Sequence, residues 1–104
     1  VMRLVTVEVK EKDAEKFSHS VKKEMTTSIA SEPGMEIMMS GTNKDDPNEW
    51  NFVEVYANDE AYDKHVQSPQ YKEYIEETDD MVIRRDVKTL VRDALATQGA
   101  IVLD

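Results

Sequence analysis

The sequence predicts an α+β domain whose elements run strand, helix, strand, strand, helix, strand, with the strands in one antiparallel sheet and the helices on one face. Three observations carry that expectation. Apolar stretches of strand length or strand alternation lie at 2–9, 35–42, 50–56 and 81–92. Apolar residues at three- and four-residue spacing fill two of the gaps, and turn or cap residues such as Pro33-Gly34 and Ala57-Asn58 punctuate the chain.

The first strand, Met2 to Val9, is dense in Val and Leu, with Leu4 and Thr6 on one side and Val5, Val7 and Val9 on the other. Asp13 is placed to cap the helix that follows, and Ala14, Phe17, Val21, Met25 and Ile29 give that helix one apolar stripe. Pro33-Gly34 ends it. Met35 to Thr42 alternates as a strand, and the polar turn from Asn43 to Glu49 joins it to a run of aromatic and β-branched residues, Trp50 to Tyr56. The pair reads as an antiparallel hairpin. Asn58 caps the next helix, with Asp59 and Glu60 in its first turn. Ser68-Pro69 interrupts that helix and restarts it as a second piece carrying Tyr71, Tyr74 and Ile75. Met81 to Arg92 alternates as a long last strand. This order is the ferredoxin-like βαββαβ plan.

Such a sheet leaves one face bare, and Val5, Val7, Val53 and Val55 are the residues expected there. Packing two sheets face to face would cover them, so a homodimer is expected. Residues 1–93 form the domain in this reading. Residues 94–104 are a tail whose Ile101, Val102 and Leu103 are expected to pack on the partner subunit.

Composition narrows the partners. The 104 residues are enough for one modest core, and 13 basic against 22 acidic side chains give a net charge of -9. That charge repels phosphate backbones and anionic lipid, so neither nucleic acid nor membrane is an expected partner. The sequence contains no cysteine, which excludes disulfides and thiolate metal sites and is compatible with a reducing cytoplasm. No apolar run approaches the length of a membrane span, and the N-terminal stretch lacks a signal-length apolar region.

The series EPGM (Glu32–Met35), DPNEWNFVEVYAND (Asp46–Asp59) and EAYDKHVQSPQYKEY (Glu60–Tyr74) resembles the antibiotic biosynthesis monooxygenase (ABM) family, over roughly residues 1–92. The resemblance implies a dimeric α+β barrel with a pocket between sheet and helices in each subunit. In the oxygenase members, quinol-like or polyketide substrates are oxidised by molecular oxygen without flavin, metal or haem. It also implies alternatives: haem degradation, isomerisation of a phosphorylated signalling sugar, or binding of a metabolite without catalysis. The haem-degrading branch places its ligating histidine where this chain has Ile75, which cannot ligate iron.

The residues that could carry chemistry cluster between Trp50 and Tyr74. Glu54 shares one face of its strand with Trp50, Phe52 and Tyr56, so a carboxylate beneath the helices needs a partner or a raised pKa. It reads either as a general base or as a structural acid paired with His65 or an arginine. His65 follows Tyr62 by three residues on the inner side of its helix, where it reads as a proton acceptor or as a satisfied structural histidine. Trp50, Phe52, Tyr56, Tyr71 and Tyr74 could wall a pocket for a planar small molecule, or could simply be core. Arg84 and Arg85 point to opposite faces, so one of them, Arg85, could enter the same pocket and bind an anionic group. Met35, Met38 and Met39 are pliable lining or filler, and His19 among lysines is a solvent residue. With two histidines and no cysteine, no transition-metal site and no cofactor is expected.

Overall fold

The computed structural model describes residues 1–98. Its regular elements are β1 (Met2–Val9), α1 (Ala14–Ser31), β2 (Met35–Asn43), β3 (Asp46–Tyr56), α2 (Asp59–Val66), α3 (Pro69–Thr78) and β4 (Val82–Leu90). The four strands form one sheet in the order β2-β3-β1-β4, and every neighbouring pair is antiparallel. β1 and β3 are therefore central. The helices lie over one face, so the α+β, ferredoxin-like plan stands.

The cap signals acted as their chemistry requires. Asn58 accepts the Ala61 N–H at 2.9 Å, and Ser68 accepts that of Tyr71 at 3.3 Å with Pro69 just inside the helix. Asp13 does not cap α1. A 3₁₀ turn over Glu11–Asp13 precedes the helix and leaves Asp13 in helical backbone, where its side chain makes no capping bond. β3 is longer than its aromatic run, starting at Asp46 and shrinking the hairpin turn to Lys44-Asp45. Pro47 is tolerated because β1 has stopped pairing with β3 by then, at Glu8 and Glu49, and because on the β2 side it falls in the irregular stretch between the Thr42–Trp50 and Asn43–Asp46 pairs.

One expectation about the sheet's faces is corrected. Val5 stands opposite Phe52 and Val7 opposite Trp50, which puts both valines on the helix side, and Val7 is fully buried. The core there comprises Val7, Val9, Phe17, Val21, Met25, Trp50 and Phe52. Strand alternation forces the consequence: the bare face carries Leu4, Val53 and Val55 from the central strands with Ile37 and Met39 from β2. Met39 is 57 % exposed, whereas Val55 is 3 % exposed. Just past β4, Arg92 reaches Glu36 on β2 at 3.1 Å, so the chain crosses back over one end of the sheet from edge to edge.

The α1 stripe also differs slightly from its apolar reading. Ser28 is buried rather than Ile29, and Glu24 is buried beside Met25. Among the described residues, no helix is long and apolar enough to cross a membrane. Residues 94–98 adopt neither helix nor strand, and Ile101, Val102 and Leu103 lie outside the described residues.

Candidate active site

A cavity of about 150 Å³ lies between the sheet and the helices. β1 supplies Arg3 and Val5 to it, β3 supplies Phe52, Glu54 and Tyr56, and β4 supplies Arg85 and Val87. From above come Glu24 on α1, Tyr62 and His65 on α2, and Tyr71 and Tyr74 on α3. Alternation along the strands explains the sheet-side set: residues 3 and 5, 52, 54 and 56, and 85 and 87 all stand on the helix side. Of the residues expected at a site, the structure brings together Glu54, His65, Phe52, Tyr56, Tyr71, Tyr74 and Arg85. Trp50 is not with them. Its ring meets Phe17 edge-on at 5.0 Å, so it belongs to the core under α1.

The position of α2 is fixed from two sides. Asn58 starts it, and its Ala61 rests against the Pro33-Gly34 turn so closely that a Cβ on Gly34 would fall 2.5 Å from the Ala61 Cβ. The helix thereby sets His65 deep in the domain, 1 % exposed. Both imidazole nitrogens are occupied: Nε2 lies 3.1 Å from Glu24 Oε1, and Nδ1 lies 3.1 Å from both Glu32 oxygens. A neutral imidazole could donate from only one nitrogen and would turn a lone pair on the second carboxylate, so this geometry calls for imidazolium. Burial pushes the His65 pKa down, but the hydrogen bonds and charges of Glu24 and Glu32 outweigh it and leave the pKa above its ordinary value. The carboxylates are held in turn. Ser28 donates to Glu24 at 3.2 Å, and Gln70 donates to Glu32 at 2.6 Å and to Ser28 Oγ at 3.1 Å.

Glu54 is in a different situation. It accepts one hydrogen bond, from the Tyr56 hydroxyl at 2.7 Å. Burial raises its pKa, against the opposing pull of that bond and of the charges of His65 and Arg3. The Tyr56 phenol is pushed up in turn, first by burial and then by the Glu54 charge, so it stays protonated and a donor. Burial also raises the phenols of Tyr71 and Tyr74 while Arg85 draws both down, which puts a protonated hydroxyl and a cation at that end of the cavity. The aromatic wall is continuous: Tyr56 meets Tyr62 at 5.2 Å, His65 meets Tyr71 at 5.1 Å, and Tyr71 meets Tyr74 at 6.2 Å.

Four members of the site went unread in the sequence: Arg3, Glu24, Glu32 and Tyr62. Glu24 had a signal, since it falls seven residues after Phe17 on the inner stripe of α1. A carboxylate there demands a cation. Glu32 had none, because it comes from the turn after the helix.

Carboxylates also gather away from the cavity, where ligand oxygens of Glu8, Asp46 and Glu49 lie within 4.8 Å of one another. Glu49 is already committed to Asn43 at 2.9 Å and Asn51 at 3.2 Å, so an acid cluster on the surface accounts for them.

Comparison with known proteins matches residues 1–77 to the family described as "Antibiotic biosynthesis monooxygenase". The fold is similar to the crystal structure of a "putative monooxygenase" from Lactobacillus acidophilus NCFM, with 82% identity and a TM-score of 0.96 over 99% of this chain. The chain spans about half of that protein, 49% of its length. It is also similar to a "putative antibiotic biosynthesis monooxygenase" from Bacteriodes thetaiotaomicron VPI-5482, at 27% identity and a TM-score of 0.84, covering 92% of this chain and 94% of that one. A "putative monooxygenase" from Fusobacterium nucleatum is 26% identical over 83% of this chain and 39% of its own, with a TM-score of 0.78. A search of the curated proteins finds no match.

Proposed function

We infer the function from the family to which this chain belongs, the antibiotic biosynthesis monooxygenases, and propose a monooxygenase that oxidises a small phenol or hydroquinone with molecular oxygen and no bound cofactor. The observation that carries this reading is Glu54: a carboxylate of raised pKa on the wall of an aromatic cavity, with acceptor capacity beyond its one bond to Tyr56. Raising a carboxylate's pKa makes it a stronger base, which is what abstraction of a phenolic proton needs. His65 is the poorer base, because a doubly bonded imidazolium has no lone pair to offer. The proton-transfer role therefore goes to Glu54, and His65 orients the helix-side wall.

In the reaction proposed, Glu54 takes the hydroxyl proton of a hydroquinone and leaves an electron-rich anion. That anion reduces oxygen directly. Over the cycle the hydroquinone gives up four electrons and gains one oxygen atom as a hydroxyquinone, and the second oxygen atom leaves as water. The tyrosines would hold the ring flat and keep water away from the anion. Arg85 and the Tyr71 and Tyr74 hydroxyls would supply positive charge and donors at the other end of the ring.

Oxygen uptake on hydroquinone, without added nicotinamide, flavin or metal, tests the reading. One labelled oxygen atom per product molecule from ¹⁸O₂ is the expected result. No uptake above the uncatalysed rate, or equal turnover without oxygen, would sink it, and the latter would favour an isomerase.

A homodimer belongs to the same proposal. Leu4, Ile37, Met39 and Val53 make an apolar stretch on the open sheet face that a second sheet would cover. Sedimentation equilibrium at micromolar concentration should give a dimer, and Met39→Glu should shift it toward monomer. The absence of cysteine from the sequence supports the cytoplasm as its compartment.

A further inference from the structure

The sequence contains four arginines, and the structure treats them in two ways. Arg84 and Arg92 are paired, the first with Asp86 and with Glu49 at 3.8 Å, the second with Glu36 at 3.1 Å. Arg3 and Arg85 line the cavity, and neither has a carboxylate within ion-pair distance among the described residues.

Arg3 is the more telling of the two. It stands directly across the β1–β3 ladder from Glu54, the position from which an ion pair would be simplest to make. Instead its guanidinium lies over the Tyr62 ring, 4.5 Å from the centroid, while Glu54 turns to the Tyr56 hydroxyl. The Arg3 Nε is buried and has no hydrogen-bond partner. A guanidinium set over an aromatic ring on the cavity wall, with no carboxylate paired to it among the described residues, leaves its terminal N–H groups as receptors for an oxyanion.

The charge on the sheet wall limits the guest. That wall presents two cations, Arg3 and Arg85, against one carboxylate, Glu54, while imidazolium His65 is already answered by Glu24 and Glu32. A guest with one negative charge suits it. The volume of about 150 Å³ limits it again, since a cavity of that size elsewhere admits one benzene-sized ring. We propose that the substrate is a single-ring hydroxyaromatic carboxylate, bound with its carboxylate on Arg3 and a ring hydroxyl toward Glu54. Because Arg3 and Glu54 are cross-strand neighbours, a hydroxyl next to the carboxylate on the ring is the arrangement that meets both. Arg85, farther along the cavity, contributes charge rather than the fork. This deepens the monooxygenase reading above and rests on its cavity being the substrate site.

Calorimetric titration without oxygen separates the two claims, using 2,5-dihydroxybenzoate and hydroquinone, the same ring with and without the carboxylate. The acid should bind roughly tenfold or more tightly than hydroquinone, the gain expected from a charge-assisted hydrogen-bonded contact. Arg3→Met should abolish that preference, and Arg85→Gln should reduce it less. If Arg3→Met does not fold by circular dichroism, Arg3→Lys carries the test. It keeps the charge without the planar fork and should lose most of the preference. Equal binding of the two rings to the wild type, or a full preference in a folded Arg3 variant, overturns the carboxylate site. Tight binding of the acid with no oxygen uptake would instead overturn the monooxygenase and leave the site standing.

Discussion

The cavity has two charged walls, and they are built on opposite terms. On the helix side, His65 meets Glu24 and Glu32, and those carboxylates meet Ser28 and Gln70, so each group has the partners its chemistry asks for. On the sheet side, Glu54 has one partner and Arg3 has an aromatic ring but no acceptor. Both walls bury charge in the same small space. The difference lies in unused valence. A closed network holds α2 against α1 and the Glu32 turn, and it can exchange no proton without breaking a bond. The open wall is where a ligand could complete what the protein has left incomplete. Histidine chemistry at neutral pH made His65 the natural candidate from sequence, yet its geometry makes it the more structural of the two.

The sharpest way to break that comparison is to remove the centre of the closed wall. His65→Leu leaves Glu24 and Glu32 facing each other's charge in a buried site, and breaking such a pair costs about 3–5 kcal/mol. A urea denaturation series should record a loss of that order. A marginal loss, with oxygen uptake abolished in a folded protein, would return the histidine to the catalytic role and reverse the assignment.

The mirror experiment is Glu54→Gln. Stability should change little, since glutamine keeps the shape and can still bond Tyr56. The rate of hydroquinone oxidation should fall by roughly a hundredfold or more, the effect of losing a positioned base. Retention of the wild-type rate in this variant would remove Glu54 from the chemistry.

The two walls should also titrate oppositely. The His65 pKa is raised above 6.5, so the stability its cluster gives is complete below about pH 6.5 and falls away as pH rises through the higher folded value. Glu54 is raised above 4.5 by burial, so activity should rise with pH through that higher value as the carboxylate becomes available as a base. Denaturation midpoints and initial rates over pH 4–9 check both. In His65→Leu the loss of stability on the alkaline side should vanish and the acid limb of the rate should remain.

How much of this was legible beforehand follows from which interactions are local. Asn58, Ser68-Pro69 and Pro33-Gly34 act within a few residues of themselves, and strand alternation is a property of the chain. The six-element plan was therefore readable, as was the grouping of Glu54 with Tyr56 on one strand face. The cavity's charge pairing was not. Glu24 and Glu32 find His65 across 41 and 33 positions. Arg3 prefers Tyr62 to the acid beside it, a choice made by α2 lying overhead. Trp50 shares a strand face with Glu54 yet ends in the core, because α1 covers that end of the strand and leaves the other end open. Spacing assigns a residue to a face, but only packing says what that face meets.

A gentler change tests whether the closed wall depends on where α2 sits. Gly34→Ala places a methyl 2.5 Å from the Ala61 Cβ, and the helix must shift to receive it. Overpacking of this kind costs about 1–3 kcal/mol. Moving α2 also moves Tyr62, the ring under Arg3, so the variant should lose part of its preference for 2,5-dihydroxybenzoate while Glu54 stays in place on its strand.

The smallest expected effect isolates burial from saturation. Lys23 on α1 is as well partnered as His65, bonding Glu73 at 2.7 Å and Glu77 at 3.1 Å on α3, and so ties the same helix across a similar distance. Its side chain is about half exposed, at 47%. Water therefore competes for every charge in that cluster, and salt screens it. If filled valence alone made His65 structural, Lys23→Ala should be comparably damaging. If burial is what makes a broken pair costly, the freed Glu73 and Glu77 will simply hydrate, and the denaturation midpoint should stay close to wild type and change little with added salt. A Lys23→Ala protein as unstable as His65→Leu would mean that bridging α1 to the following helices matters more than desolvation. The distinction between the two walls would then have to be drawn from tethering rather than from unmet hydrogen bonds.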